Sequence, residues 1–397
     1  MSVRHNLPPM PTSPFFEVFR AFLRLGLTSF GGPVAHLGYF RNEFVRRRGW
    51  IGEEHYAELI TLGQFLPGPL SSQVGFALGM LRAGWPGAIA AFVAFTAPSA
   101  LLLILFAYLS TVLSGPMGLA AIHGLKLVAV CVIAQAIIGM ARRLTPDWQR
   151  IAIAAVAVGI VLLGHQPWLQ LIAIGMGALL GIVLCRDVPM PAIAPMQVRY
   201  GRGVAAVLLV AYVGLLLLSL SVSAGAPAEV QVWAGMYRAG ALVFGGGHVV
   251  LPLLEQTVVT PGWLSADQFL AGYGAAQAIP GPMFSVSAYL GAKIGGVSLA
   301  LLALLAVFLP GFLALAGVLP FWSRLTANHG IRRMLTGINA AVVGLLAAAF
   351  YDPVWTSAIT NSTDLAIAAA GFAVLMHGRL STLWVVAGCV GAALAIG

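Results

Sequence analysis

"SFGGPVAH" occupies residues 29–36 and "VFGGGHVV" occupies residues 243–250. Both interrupt apolar segments. Gly and Pro cost a helix interior about 1 and 3 kcal/mol relative to Ala. A chain that breaks a hydrophobic segment in the same way twice, 214 residues apart, is using the break.

The surrounding composition says where. The 397 residues are 60% hydrophobic and 8% charged, against roughly 25% charged in a soluble domain. Uncharged runs at 86–113, 203–224 and 297–321 each reach the ~20 residues that span a bilayer core. The expected class is an all-α polytopic membrane protein in the lipid bilayer. Residues 1–14 are polar and Pro-rich, and the first apolar stretch carries Glu17, Arg20 and Arg24. A cleavable signal peptide would not look like this, so insertion by the chain's own helices is expected. Cys131, Cys185 and Cys389 have no metal-ligand spacing and read as buried small apolar residues. The net charge of +9 does not imply nucleic acid, because the basic residues flank membrane segments as the positive-inside rule requires.

The two breaks belong to an internal repeat. "RLGLTSFGG" (24–32) matches "RAGALVFGG" (238–246), "RGWIGEEHY" (48–56) matches "PGWLSADQF" (261–269), and "LGQFLPGPLSS" (62–72) matches "AAQAIPGPMFS" (275–285). Pro98 matches Pro310, and "HGLKLVAV" (123–130) matches "TGINAAVV" (336–343). The expected organisation is a first repeat at 1–185, a linker at 186–228 with a membrane helix at 203–224, and a second repeat at 229–397. Each repeat reads as two broken segments followed by about four continuous ones. The pieces beside each break run about 13–15 residues, too short to cross at 1.5 Å per residue, so each broken segment is expected to be a re-entrant hairpin. Irregular backbone at that depth is tolerated only against protein or water.

Charge placement supports the hairpins. If the broken segments enter and leave on one side and the N-terminus is cytoplasmic, the Arg-rich loops around Arg41–Arg48, Arg142–Arg150, Arg186–Arg202 and Arg324–Arg333 all fall inside. Four crossings plus the linking helix make an odd number, so the second repeat is inverted. Its loop 252–267 carries no Lys or Arg. Inverted repeats with interrupted helices are the architecture of secondary transporters, with the site near the midplane. Rocking of one repeat against the other is the expected motion.

A half-helix that starts at a break presents unpaired N–H groups and about +0.5 of dipole charge, which suits an anion. The candidate binding set is Gly31, Gly32, Pro33, Pro67, Gly68, Pro69, Gly245, Gly246, Gly247, Pro280, Gly281 and Pro282, with Ser71, Ser72, Gln73 and Ser285 just beyond. His36, His248, Arg24 and Arg238 complete it. Hydroxyls, amides and Arg suit a tetrahedral oxyanion. Glu43 and Glu255, roughly matched across the copies, join the two histidines as proton-coupling candidates. Two plainer readings stay open beside this one: glycines that permit close helix packing, and serines that merely cap helices. His36 and Glu43 do not make a metal pair, and no metal or cofactor is expected. No catalytic or ATP-binding motif argues for an enzyme or an ATP-driven pump.

In "FGGPVAHLGYFRNEFVRRRGWI" (30–51), "LGQFLPGPLSSQVGFALG" (62–79), "FGGGHVVLPLLEQ" (244–256) and "YGAAQAIPGPMFSVSAYLG" (273–291), the chain resembles the chromate ion transporters, in their two-repeat form. The resemblance implies export of chromate across the bacterial inner membrane, driven by the proton-motive force, and chromate resistance. The residues themselves show no more than a small oxyanion. Sulfate, an exchanger, an anion channel, a membrane protein without transport and a homodimeric state all stay open. The second copy departs from the first, with Gly247 for Pro33 and no His where His36 stands, so unequal roles for the halves are expected.

Overall fold

The computed structural model describes residues 13–112, 115–163, 169–185, 200–223, 225–244, 250–322, 325, 328–377 and 382–396. Among them there is no strand. Gly245, Gly246, Gly247 and His248 lie outside the described residues.

The first repeat opens with α1 (Pro14–Thr28) and α2 (Gly32–Phe40), separated at Ser29–Gly31, and α2 runs on into a π-helical turn at Arg41–Arg47. Gly31 and Gly32 have φ of 96° and 74°, a region open to Gly at little cost. α3 (Glu53–Phe65) stops before Pro67, and α4 (Leu70–Val112) starts after Pro69. α4 is bent at Ala83 and Gly84, so the short limb to residue 82 closes a hairpin with α3 and the long limb crosses. At the elbow Gly79 and Gly87 touch backbone to backbone, with no room for a Cβ on either. α5 (Pro116–Leu144), α6 (Trp148–Leu162) and α7 (Leu169–Leu184) complete the repeat.

The linking helix α8 (Arg202–Leu220) leads to the second set: α9 (Ala228–Leu242), α10 (Val250–Val258), α11 (Ala266–Ala278), α12 (Val286–Val318), α13 (His329–Ala349), α14 (Ser362–His377) and α15 (Thr382–Ile396). α12 bends at Gly295 and Gly296, the counterparts of Ala83 and Gly84. Every element of one repeat therefore has its equivalent in the other. Among the described residues, five apolar helical stretches are long enough to cross a membrane: Leu70–Ser110, Pro116–Leu144, Arg202–Leu220, Met283–Phe321 and His329–Ala358. The chain is an all-α polytopic membrane protein of two inverted repeats.

The repeats are interlocked, not side by side. α1–α4 pack with α9–α12, chiefly α1 on α4, α9 on α12 and α4 on α12. α5–α7 pack with α13–α15: α6 and α7 lie on α13, while α14 and α15 lie on α5. The molecule thus divides into a tip bundle and a scaffold bundle, each holding matching parts of both repeats. Packing draws the dividing line across the repeats and not between them, so two rocking repeats do not correspond to two packed bodies here. Inside the tip bundle Phe22, Phe40, Phe44 and Phe95 form one aromatic cluster, with Phe22 stacked on Phe44 at 4.8 Å and Phe40 edge-on to Phe95 at 5.2 Å. Close packing of these rings, the force that joins helices within lipid, fixes α1 and α2 against α4.

Candidate functional site

The four breaks are drawn together by backbone hydrogen bonds between the repeats. Gly68 N–H donates to the Val243 carbonyl at 2.8 Å, and Gly281 N–H donates to the Ser29 carbonyl at 3.0 Å. Gly68 matches Gly281 and Ser29 matches Val243, so one bond is made twice with partners exchanged. Both glycines need their lack of a side chain: their φ values are 127° and 112°. A Cβ at Gly68 would lie 2.7 Å from Gly311 Cα, and one at Gly281 would lie 2.9 Å from Ser99 Oγ. These two N–H groups are spent on the frame, which leaves the first turn of α4 to supply free N–H groups beside the tip.

Side chains then staple the frame. Gln73 Nε2 donates to the Pro67 carbonyl at 2.8 Å and to the Gly311 carbonyl at 2.9 Å. Ser285 Oγ lies 2.7 Å from Ser99 Oγ, which itself donates to the Thr96 carbonyl at 2.9 Å. Gln73 therefore holds two repeats together and has no N–H left for a ligand.

What remains is a small polar cluster on the first-repeat side. His36 is fully buried. Its Nε2 is 3.2 Å from the Ser29 carbonyl and its Nδ1 is 3.3 Å from Ser71 Oγ, with the ring edge-on to Phe95. A carbonyl only accepts, so Nε2 carries a hydrogen; in the neutral ring Nδ1 accepts from the Ser71 hydroxyl. In the same segments the hydroxyls of Ser29, Ser72 and Thr96, and the Gln73 side-chain oxygen, are buried with no partner among the described residues. Buried polar atoms are normally satisfied, so these orphan hydroxyls make the segments beside the breaks a candidate place for a polar guest.

Other candidates stand elsewhere. Arg24 is exposed, because α1 buries the face of Val18, Ala21, Phe22 and Leu25 and position 24 falls on the opposite side. Arg238 donates to the Ser219 carbonyl of α8. The structure brings neither to the cluster. Glu43 accepts from Arg48 at 2.6 Å and from Arg47 at 2.9 Å. Glu17 joins this network through Arg82, Arg48 and Trp50. Burial raises both carboxyls, but the Arg partners outweigh it and hold them below the ordinary carboxylate range. Glu255 is half-buried in α10.

Ser29, Thr96 and Ser99 were not among the residues expected from sequence. Ser29 sits inside the first quoted motif, where the glycines and proline draw the attention. Thr96 and Ser99 flank Pro98 in an uncharged run. The signal available was two hydroxyls beside a proline in a membrane segment, where neighbouring groups must satisfy the freed backbone.

A profile described as "Chromate transporter" matches residues 16–182 and 230–395, once per repeat. The chain is 28% identical over 379 residues to the chromate transport protein of Pseudomonas aeruginosa, covering 93% of this chain and 88% of that one. It is 28% identical over 386 residues to the chromate transport protein of Cupriavidus metallidurans, covering 95% and 92%. A probable chromate transport protein of Synechococcus elongatus is 29% identical over 347 residues, covering 85% and 84%. No solved structure matches the chain. With both repeats matched and the relatives aligned over most of their length, this chain belongs to the chromate transporter family.

Proposed function

We propose that the chain exports chromate across the bacterial inner membrane, with the N-terminus cytoplasmic and the proton-motive force as driver. The observation that carries the site is the set of orphan hydroxyls of Ser29, Ser72 and Thr96 in the segments that hold the His36–Ser71 pair. Hydroxyl and backbone donors suit a tetrahedral dianion, and the free N–H groups at the start of α4 add a partial positive charge.

The His36 geometry offers a route for coupling. While the ring is neutral, the Ser71 hydroxyl donates to Nδ1. When Nδ1 takes a proton, Ser71 turns to accept and its O–H points away, free for the anion. Protonation thus adds one positive charge and one donor at the same place. Glu255 is the rival proton carrier, favoured by its half-buried position in α10.

Proteoliposomes test this. Chromate flux should be slow, saturable and dependent on the pH gradient, and Ser71→Ala with Ser72→Ala should lower it about tenfold. That figure follows from about 0.7 kcal/mol for each of the two hydrogen bonds lost, within the usual range of about 0.5–1.5, and tenfold per 1.4 kcal/mol. Fast dissipative flux would make the chain a channel, and a sulfate rate equal to that of chromate would broaden the substrate. Undiminished flux in the double variant would remove these serines from the site.

A further inference from the structure

The contacts between the two bundles break the symmetry of the fold. Each bundle holds matching parts of both repeats, so any contact between them has a counterpart at the other membrane face. On the Arg-poor face the contact is made. α11 packs along α5 and α10 touches α13. Gly274 of α11 meets the backbone of Leu125 of α5 so closely that no Cβ would fit. Beside it Lys126 Nζ donates to Asp267 Oδ1 at 2.8 Å and reaches the Ser357 carbonyl at 3.4 Å.

On the Arg-rich face the counterpart is missing. α3 and α13 show no comparable packing. The repeat alignment pairs Gly274 with Thr61, Leu125 with Ile338, Lys126 with Asn339 and Asp267 with Glu54. The Asn339 side-chain oxygen is buried with no partner among the described residues, and Glu54 is exposed. Between the end of α3 and the start of α13 lies a cavity of about 160 Å³, lined among others by Phe65, Leu66, Trp322, Arg332 and Leu335. Leu66 directly precedes the Pro67-Gly68-Pro69 tip, so the inner end of this crevice abuts the frame of the site.

We infer that Lys126 is a positioning residue of the transport cycle. Its ion pair with Asp267 latches the bundles together on the Arg-poor face while the crevice on the Arg-rich face stands open. In the alternate arrangement α3 closes on α13 as α11 now closes on α5, with Glu54 approaching Asn339. The Lys126 side chain is 10% exposed and that of Asp267 is 63% exposed. A Lys that loses its partner at such depth must be rehydrated or re-paired, so breaking the latch and admitting water on that face are one event. The inference rests on transport by this chain. It does not depend on which anion moves or on the hydroxyl cluster.

Paired cysteines test it, in a background with Cys131, Cys185 and Cys389 replaced and transport retained. The pairs are Lys126→Cys with Asp267→Cys and Thr61→Cys with Ile338→Cys, each treated with a short bifunctional thiol reagent in proteoliposomes. Both pairs should cross-link, each should lower chromate flux at least tenfold, and a reagent with a cleavable bridge should give the flux back on reduction. Separately, a membrane-impermeant maleimide should label Leu335→Cys readily. That labelling should slow several-fold in Lys126→Ala and recover in the charge swap K126D/D267K. A residue needed only for folding would not move it; if Lys126→Ala does not fold, the swap and the cysteine pairs carry the test. Full flux through the cross-linked Lys126–Asp267 pair overturns the latch, as does failure of the Thr61–Ile338 pair to cross-link in transporting protein. Absent flux in the untreated protein overturns the transport reading and the latch with it.

Discussion

The tips of the two repeats share a backbone and differ in chemistry. Gly68 and Gly281 make the same hydrogen bond to the opposite repeat. Around them the first repeat places Ser29, His36 and Ser71, where the second has Val243, Val250 and Phe284. Duplication kept the frame, and divergence at these three positions left polar side chains in the first repeat and apolar ones in the second. The same division recurs at the membrane rims: the Glu17, Glu43, Arg47, Arg48 and Arg82 network faces a second-repeat loop, 252–267, without Lys or Arg. The lesson is that symmetry here carries the backbone geometry, while the side-chain chemistry around it is free to differ.

The frame is the first place to break the comparison, and the effect should be largest there. Gly68→Ala and Gly281→Ala each force a side chain into left-handed backbone at a close approach. Each should cost more than about 1 kcal/mol and lower the folded yield and the thermal midpoint in detergent. Gly68→Ala should be the worse, since its Cβ meets the backbone of Gly311 while that of Gly281 meets the movable hydroxyl of Ser99. A neutral result at either glycine would show that the frame is not shared.

The chemistry should break on one side only. His36→Gln should lower oxyanion flux about tenfold or more, on the scale of about 1–3 kcal/mol for an unmade buried hydrogen bond, and should flatten its pH dependence. Val250→Ala, at the matched position, should leave flux within about twofold. Equal losses would place function in both tips.

These contrasts show which parts of the molecule sequence could reveal. The breaks, the hairpins, the linking helix and the second-repeat counterparts were legible because Gly, Pro and charge are punctuation in an apolar chain, and because the repeat supplied a second reading of each. His36, Ser71 and Ser72 were legible as polar residues beside a break. Arg24 and Arg238 lie away from the His36–Ser71 pair, because a charge near a break in sequence falls on either helix face in space. Gln73 was found but not its task, since its partner Gly311 is 238 residues away. The elbow at Ala83–Gly84 was visible as a segment boundary, but the sorting of both repeats into two mixed bundles depends on contacts between distant helices that no local pattern encodes.

The rim network offers the finest test, with the smallest expected effect. Glu43 is raised by burial and lowered more by Arg48 and Arg47, so its folded value lies below the ordinary 4.5. A depressed carboxylate contributes stability above its unfolded value and loses it as pH falls through the folded one. The thermal midpoint in detergent should therefore drop on acidification below about pH 4.5, and Glu43→Gln should flatten that drop. Glu255→Gln should leave this acid limb unchanged, since its own loop brings no cation to depress it. If both variants flattened the limb alike, Glu255 would have a cationic partner that its loop does not supply, and the rims would be as symmetric as the frame. If only Glu43 does so, the rim follows the tip in placing its charge chemistry in the first repeat alone.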